Sequence, residues 1–180
     1  MSTPVGGLRK RLIKYNFELM ITDALDQLHW FDEDRGHKPI TVTGTPIDYD
    51  RQEVIIPNIV SIAPEDINTM EWEMGSLMEE VRWDFFVDVY AENDSVGLHL
   101  ASDIMDILKG KMPSVGRVRP TLLVNDYQAD PPSELFYCYI ENVDMAKVRN
   151  WQDQWQRYWY VVGCEIVDYY TDENDEGSYI

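Results

Sequence analysis

The chain has 180 residues, 44% of them hydrophobic and 12% aromatic, and its formal net charge is −18. This length predicts one domain with a core large enough to need no disulfide or structural metal. The acidic excess argues against nucleic-acid binding, which requires clusters of Lys and Arg, and no apolar run reaches the length of a membrane span. With no apolar signal segment and only two cysteines, Cys138 and Cys164, we expect a soluble intracellular protein with reduced thiols.

The charge is distributed unevenly along the chain. Residues 1–38 hold six of the 15 basic and six of the 33 acidic residues, so residues 39–180 hold nine basic against 27 acidic ones. One basic cluster stands out, at the start of a predicted helix: Arg9, Lys10, Arg11 and Lys14. Acidic surface of this kind ordinarily keeps a protein soluble through self-repulsion. The many Trp and Tyr residues favour contacts with other chains.

The first predicted element is an amphipathic helix over residues 8–30, because its apolar residues recur at helical spacing. Residues 32–39 have the composition of a loop, and residues 40–43 predict a short strand. Residues 54–63 are apolar and β-branched, which predicts another strand. Since Pro57 cannot donate to a sheet ladder, that strand should be an edge strand or a bent pair.

Residues 64–78 carry a weaker signal. Methionine and tryptophan alternate with glutamate over 70–74, which is typical of a strand or an extended arm. From Val81 to Val89 the alternation is regular, with an apolar residue at every second position and mostly polar or aromatic residues between them. This period of two predicts a half-buried strand.

A helix over residues 95–109 is predicted to follow at once. Asp94 or Ser95 would cap its start, and Gly110 would end it. Its apolar stripe should pack against the preceding strand on a sheet. The predicted core residues of this strand–helix unit are Trp83, Phe85, Val87, Leu100 and Ile104.

Three further strands are predicted, over residues 121–127, 134–146 and 156–170. Runs of strands joined by short turns favour an antiparallel or mixed sheet, so the fold class is α+β with two main helices on one face and extended arms or loops. We expect a single domain over residues 1–170. Residues 171–180 should form an acidic, mobile tail.

The chemistry of known active sites is missing from this sequence. There is no glycine-rich phosphate loop, no HExxH and no CxxC. The three histidines, His29, His37 and His99, have no partners at ligand spacing, and neither cysteine has a histidine base that could activate it. Cys138 and Cys164 could face one another on neighbouring strands, although two small buried thiols fit the pattern better. We therefore expect no catalytic residues, no metal and no cofactor.

The stretch FFVDVYAENDSVGLHLASDIMDILKG, residues 85–110, resembles the tail terminator proteins of long-tailed, siphovirus-like bacteriophages. In that family a strand ending in a V-D-V-Y-like run, here Val87 to Tyr90, passes through an acidic turn, here 92–94. An amphipathic helix follows, here Val96 to Leu108. The order of the flanking elements, with an N-terminal helix first and two long strands last, is also similar.

The resemblance implies a structural virion protein without enzymatic activity. Copies of the chain would form a ring, commonly of six, that caps the completed tail tube and ends its polymerisation. Its partners would be further copies of itself, the tail tube protein and the head–tail connector or stopper protein. Genome DNA would pass through without specific binding. The ring would be assembled in the host cytoplasm and would reside in the neck of the virion.

A ring that passes DNA should not hold it, which suggests a role for the densest acidic segment. The candidate channel-lining residues are Glu65, Asp66, Glu71, Glu73, Glu79 and Glu80. An ordinary solvated arm explains the same residues equally well. Other interpretations of the whole chain are another neck, connector or head-completion protein, a small acidic enzyme, and an acidic module that mimics DNA.

Overall fold

In the computed structural model, the described residues are 5–33, 36–44, 58–71, 78–148 and 158–171. The helices are α1, Val5–Gln27, and α2, Asp94–Leu108, and a short 3-10 helix spans Pro113–Val115. The strands are β1, Thr41–Thr43; β2, Ile59–Glu71; β3, Met78–Ala91; β4, Thr121–Asp126; β5, Ser133–Val148; and β6, Tyr158–Thr171. The predicted acidic tail lies outside the described residues from residue 172 onward.

The strands form one six-stranded sheet in the order β1-β2-β3-β6-β5-β4. The β1–β2 pair is parallel and every other pair is antiparallel, so the sheet is mixed. The buried residues of α1 and α2 join those of the sheet in one hydrophobic cluster, which places both helices on the same face. The predicted α+β class, with two helices on one face of a mixed sheet, is therefore confirmed.

The core lies between this face and the two helices. The alternation along β3 sets its centre: Trp83 is 2% exposed, and Phe85 and Val87 are fully buried. Leu100 and Ile104 of α2 are buried in the same cluster. From α1, the ring of Phe17 lies 4.7 Å from that of Phe85, measured between centroids. The intervening residues of β3 point to the opposite face of the sheet.

Helix α1 ends earlier than the predicted residue 30. His29 adopts a left-handed conformation with φ 62°, and its amide donates to the carbonyl of Asp26 at 2.8 Å. The amide of Trp30 donates to the carbonyl of Leu25 at 3.0 Å. These two bonds form a Schellman motif, in which glycine usually occupies the left-handed position. Because histidine stands there instead, the usual sequence signal for a helix end is missing.

The cap of α2 is Asn93 and neither Asp94 nor Ser95, so the predicted cap was wrong by one or two positions. Asn93 has an extended backbone, and its Oδ1 accepts from the amide of Val96 at 2.9 Å. The helix consequently begins at Asp94. Gly110 follows its C-terminus with φ 64°, as expected for a terminating glycine.

Removal of the cap gives a direct test of this assignment. We expect Asn93→Ala to lower the free energy of unfolding by about 1 kcal/mol, because the amide of Val96 loses its acceptor. Ser95→Ala is the matched control and should change stability by less than about 0.5 kcal/mol. Thermal melting of both variants by circular dichroism measures the effect. A larger loss for Ser95→Ala than for Asn93→Ala would contradict the assignment.

Strand β2 extends much further than the predicted strand of residues 54–63. It includes 64–71, which carried a weaker signal, while 54–57 and 72–77 lie outside the described residues. Over residues 59–61 it is flanked by β1 and β3, so it is not an edge strand there. The β2–β3 register shifts between Pro64 and Ile67. A proline at a shift in register is consistent with its missing donor.

Candidate interaction surfaces

The face of the sheet opposite the helices is strongly acidic on β3, β5 and β6. Strand alternation directs six carboxylates and one guanidinium to this face. These charged residues are Glu80, Arg82, Asp84, Asp88, Glu141, Asp144 and Glu165. Of the described helices, neither packs on this face, because the buried side of each joins the core cluster on the other side. A surface of this charge favours basic partners.

Arg82 lies at the centre of this face and binds carboxylates from three strands. Its Nε donates to Glu80 on the same strand. Its Nη1 lies 2.7 Å from an Oε of Glu165 on β6 and 3.3 Å from an Oε of Glu141 on β5. These bonds, with that from Glu165 the strongest influence, raise the pKa of Arg82 above its usual range. One cation is thus shared among three anions, which leaves a local net charge of −2.

A bulge in β5 helps to position this cluster. The β5–β6 register shifts between Glu141 and Asp144, and Asn142 within the bulge has φ 49°. Hydrogen bonds from Asn142 and then from Arg82 lower the pKa of Glu165. The bulge also reverses the alternation, so that Asp144 points to the acidic face while Val143 packs on the core.

Exposed tyrosines lie next to the charged cluster. Tyr137 is 57% exposed, Tyr139 51% and Tyr169 40%. The rings of Tyr139 and Tyr169 meet edge to face with centroids 5.9 Å apart. We call these three residues, together with Glu141 and Glu165, the tyrosine face. Large aromatic side chains left in solvent beside partly satisfied charges are typical of protein–protein contacts.

A second exposed surface lies on the solvent side of α1. Arg11 and Tyr15 are exposed one helical turn apart, and Lys10 is half-buried beside them. The ring of Tyr15 meets that of Tyr127, which follows β4, at a centroid distance of 5.6 Å. We call Lys10, Arg11, Tyr15 and Tyr127 the helix surface. In contrast to the tyrosine face, its two charged residues, Lys10 and Arg11, are cations.

Arg9 does not belong to this exposed surface, although it is part of the basic cluster in sequence. Its guanidinium points into the protein and binds both carboxylate oxygens of Asp168, with Nη2 at 2.8 Å from Oδ1. The side chain of Asp168 is 1% exposed and that of Arg9 is 12% exposed. The guanidinium carbon also lies 3.6 Å from the ring centroid of Phe136. The pair joins α1 to β6 beneath the surface.

The candidate channel-lining residues fall on the β2–β3 hairpin. Glu65, Asp66 and Glu71 belong to β2, and Glu79 belongs to β3. The register of the two strands pairs Glu71 with Glu79. Glu73 lies outside the described residues.

Glu80 departs from the expected exposed position. It is 2% exposed and accepts a hydrogen bond from Arg82. A carboxylate that is buried and paired in a single chain cannot present its charge to a channel. The prediction that Glu80 lines the channel was therefore wrong. The physical reason is the alternation of β3, which puts residues 80 and 82 side by side on one face.

The cysteines lie on neighbouring strands but do not face one another. Ile140 and Ile166 are register partners, and Cys138 and Cys164 lie on opposite sides of that pair. Both are free and buried, and burial raises the pKa of each thiol above its usual range. A buried thiol that resists ionisation is a poor nucleophile.

Metal-ligand clusters and membrane-spanning helices are both missing from the described part of the chain. Among those residues no group of three or more His, Cys, Asp or Glu side chains could hold a metal ion. His99 lies on α2 with its side chain 69% exposed. No helix within the same residues is long and apolar enough to cross a membrane. The expected absence of metal and catalysis stays a prediction.

The Arg82 cluster and the tyrosine face could not be predicted from the sequence. The one indication in the sequence was the alternation along β3, which places Glu80 and Arg82 together on the polar side of that strand. Two of the three partners of Arg82, Glu141 and Glu165, lie 59 and 83 residues further along the chain, so their part of the cluster depends on strand order. Comparison with known proteins adds no constraint, since no family model and no curated protein sequence matches this chain.

Proposed function

We propose that this chain is a structural virion protein of the tail terminator kind. Copies of it form a ring at the head-proximal end of a phage tail tube, end the polymerisation of the tube and join the tail to the head connector. The contacts of the chain are with itself, the tube protein and the connector or stopper protein. The chain has no catalytic role, and genome DNA passes through the ring without specific binding.

The proposal rests mainly on the architecture of residues 85–110. The resemblance implies a strand that passes through an acidic turn directly into an amphipathic helix. In the structure β3 ends at Ala91, Asn93 caps α2, and the buried side of α2 packs on the sheet. The α+β order around this unit, with a helix first and two long strands last, supports the same assignment.

The charge distribution supports the proposal as well. Residues 39–180 carry 27 acidic against nine basic residues. Duplex DNA carries one negative charge per roughly 1.7 Å of its axis, so an acidic wall repels it and does not retain it. The β2–β3 hairpin concentrates acid in this way at Glu65, Asp66, Glu71 and Glu79.

Negative-stain microscopy of the purified chain tests the proposal. We expect particles with a central hole and, in mass measurements, a multiple of the 21.1 kDa chain. Such a ring excludes a monomeric enzyme and a monomeric DNA mimic together. A protein that stays monomeric when concentrated and when mixed with tail tubes would overturn the proposal, and tight binding of that monomer to a basic DNA-binding protein would favour the acidic mimic.

The channel is tested on the same rings. We expect the combined change Glu71→Lys, Glu73→Lys and Glu79→Lys to make the ring retain duplex DNA at low salt, because the wall then attracts phosphate. The matched control is Asp23→Lys, Asp26→Lys and Glu33→Lys, an equal charge change at exposed positions outside the hairpin. Fluorescence anisotropy of labelled DNA measures retention. Equal retention by wild type and the hairpin variant, with rings intact, would show that these residues do not face the channel.

A further inference from the structure

The tyrosine face and the helix surface lie on opposite layers of the molecule. Helix α1 packs on the core face of the sheet, whereas strand alternation directs Tyr139 and Tyr169 to the other face. One chain therefore presents two different surfaces on two sides. Two such surfaces that are mutually complementary allow a head-to-tail contact, which repeats from one copy to the next.

The charges of the two surfaces are complementary. Beside the tyrosine face, the carboxylates of Glu141 and Glu165 share Arg82 with the buried Glu80, so these four described residues together carry −2. The helix surface contributes the cations Lys10 and Arg11. Lys14, in the next turn, is less available because it binds the carbonyl of Gly44 at 2.6 Å and lies 3.7 Å from Glu18.

The exposed aromatic residues add a reason for contact. Tyr137 and Tyr139 are more than half exposed, and Tyr15 and Tyr127 are nearly so. An arginine from a neighbouring chain can lie over a tyrosine ring while it binds an adjacent carboxylate. Arg11 is the exposed guanidinium of the helix surface, and Glu141, whose side chain is 42% exposed, is the most accessible carboxylate bound to Arg82.

We propose that the helix surface of one copy docks on the tyrosine face of the next, with Arg11 of one chain against Tyr139 and Glu141 of its neighbour. The contact is heterologous, so it closes into a ring when the rotation between copies closes. This contact rests on the ring of the proposed function. It identifies the two surfaces that join neighbouring subunits in that ring.

Charge reversal on each side tests the contact, with sedimentation velocity of the full chain as the measurement. Arg11→Glu and Glu141→Lys should each weaken self-association roughly tenfold or more, since each opposes like charges across the contact. An equimolar mixture of the two variants should recover assembly, because each of the two contacts between unlike variants pairs opposite charges, so the variants alternate. Lys111→Glu, exposed and outside both surfaces, changes the net charge as Arg11→Glu does and should assemble as wild type.

The outcomes separate this contact from the proposed function. If both variants still form rings like those of the wild type, the proposed contact is wrong and the proposed function is unaffected. Loss in both variants with recovery in the mixture would support the contact whatever the ring binds. A wild-type chain that remains monomeric when concentrated overturns the contact, and then only assembly on tail tubes can sustain the function. A circular dichroism spectrum that matches wild type shows that each variant is folded. Tyr139→Ala, which leaves the charges unchanged, should also weaken assembly.

Discussion

Replacement of Arg9 by leucine is expected to lower the free energy of unfolding by about 3–5 kcal/mol, the usual cost of removing one partner of a buried ion pair. Asp168 is fully buried and bound by Arg9 through both of its oxygens. In Arg9→Leu the carboxylate charge of Asp168 stays in the protein interior and has lost its arginine partner. For a chain of this size the melting temperature should fall by roughly 6–20 °C, which differential scanning calorimetry measures.

Two further variants distinguish the ion pair from the loss of side-chain packing. Adding Asp168→Asn to Arg9→Leu should recover part of the loss, because the buried charge is then removed. Lys111→Leu, which removes an exposed cation outside both proposed contact surfaces, should stay within about 0.5 kcal/mol of wild type. If Arg9→Leu melts with the wild type, α1 does not dock on β6 through this pair.

Replacement of Trp83 by alanine should destabilise the protein by a similar amount, about 3–5 kcal/mol. Trp83 is 2% exposed and stands opposite Ile166 of β6 in the ladder. Truncation to alanine removes a large buried side chain and leaves a cavity in the core. Chemical denaturation monitored by circular dichroism gives the free energy directly.

The indole nitrogen makes phenylalanine an informative second variant. The Nε1 of Trp83 is buried and has no hydrogen-bond partner among the described residues. Trp83→Phe removes that unsatisfied donor while it keeps an aromatic ring, so its cost should be well below that of alanine. Phe86→Ala tests the opposite side of β3, where Phe86 is half-buried, and should also cost less. A larger cost for Phe86→Ala than for Trp83→Ala would reverse the assignment of the two faces.

The strand–helix unit could be predicted from the sequence because its signals are local. Alternation from Val81 to Val89 and the apolar stripe through Leu100 and Ile104 each reflect the geometry of a single element. The helix ends were less predictable. Asn93, Asp94 and Ser95 are all capable caps, and only the backbone geometry of Asn93 selects it. His29 ends α1 in a conformation that sequence patterns associate with glycine.

The sequence by itself determined the α+β class, the core face of β3 and the acidic character of the chain. These depend on periodicity and composition, which any stretch of the chain displays without reference to distant residues. Only the tertiary structure decided that Arg9 is buried against Asp168, that Glu80 is paired with Arg82, and that exposed tyrosines surround this cluster. The Arg9–Asp168 pair follows from the packing of α1 against the sheet. Glu80 lies beside Arg82 on β3, and the order β3-β6-β5 adds the partners from β6 and β5 and the tyrosines. Strand order brings together residues far apart along the chain, and hydrophobic periodicity contains no information about which strands become neighbours.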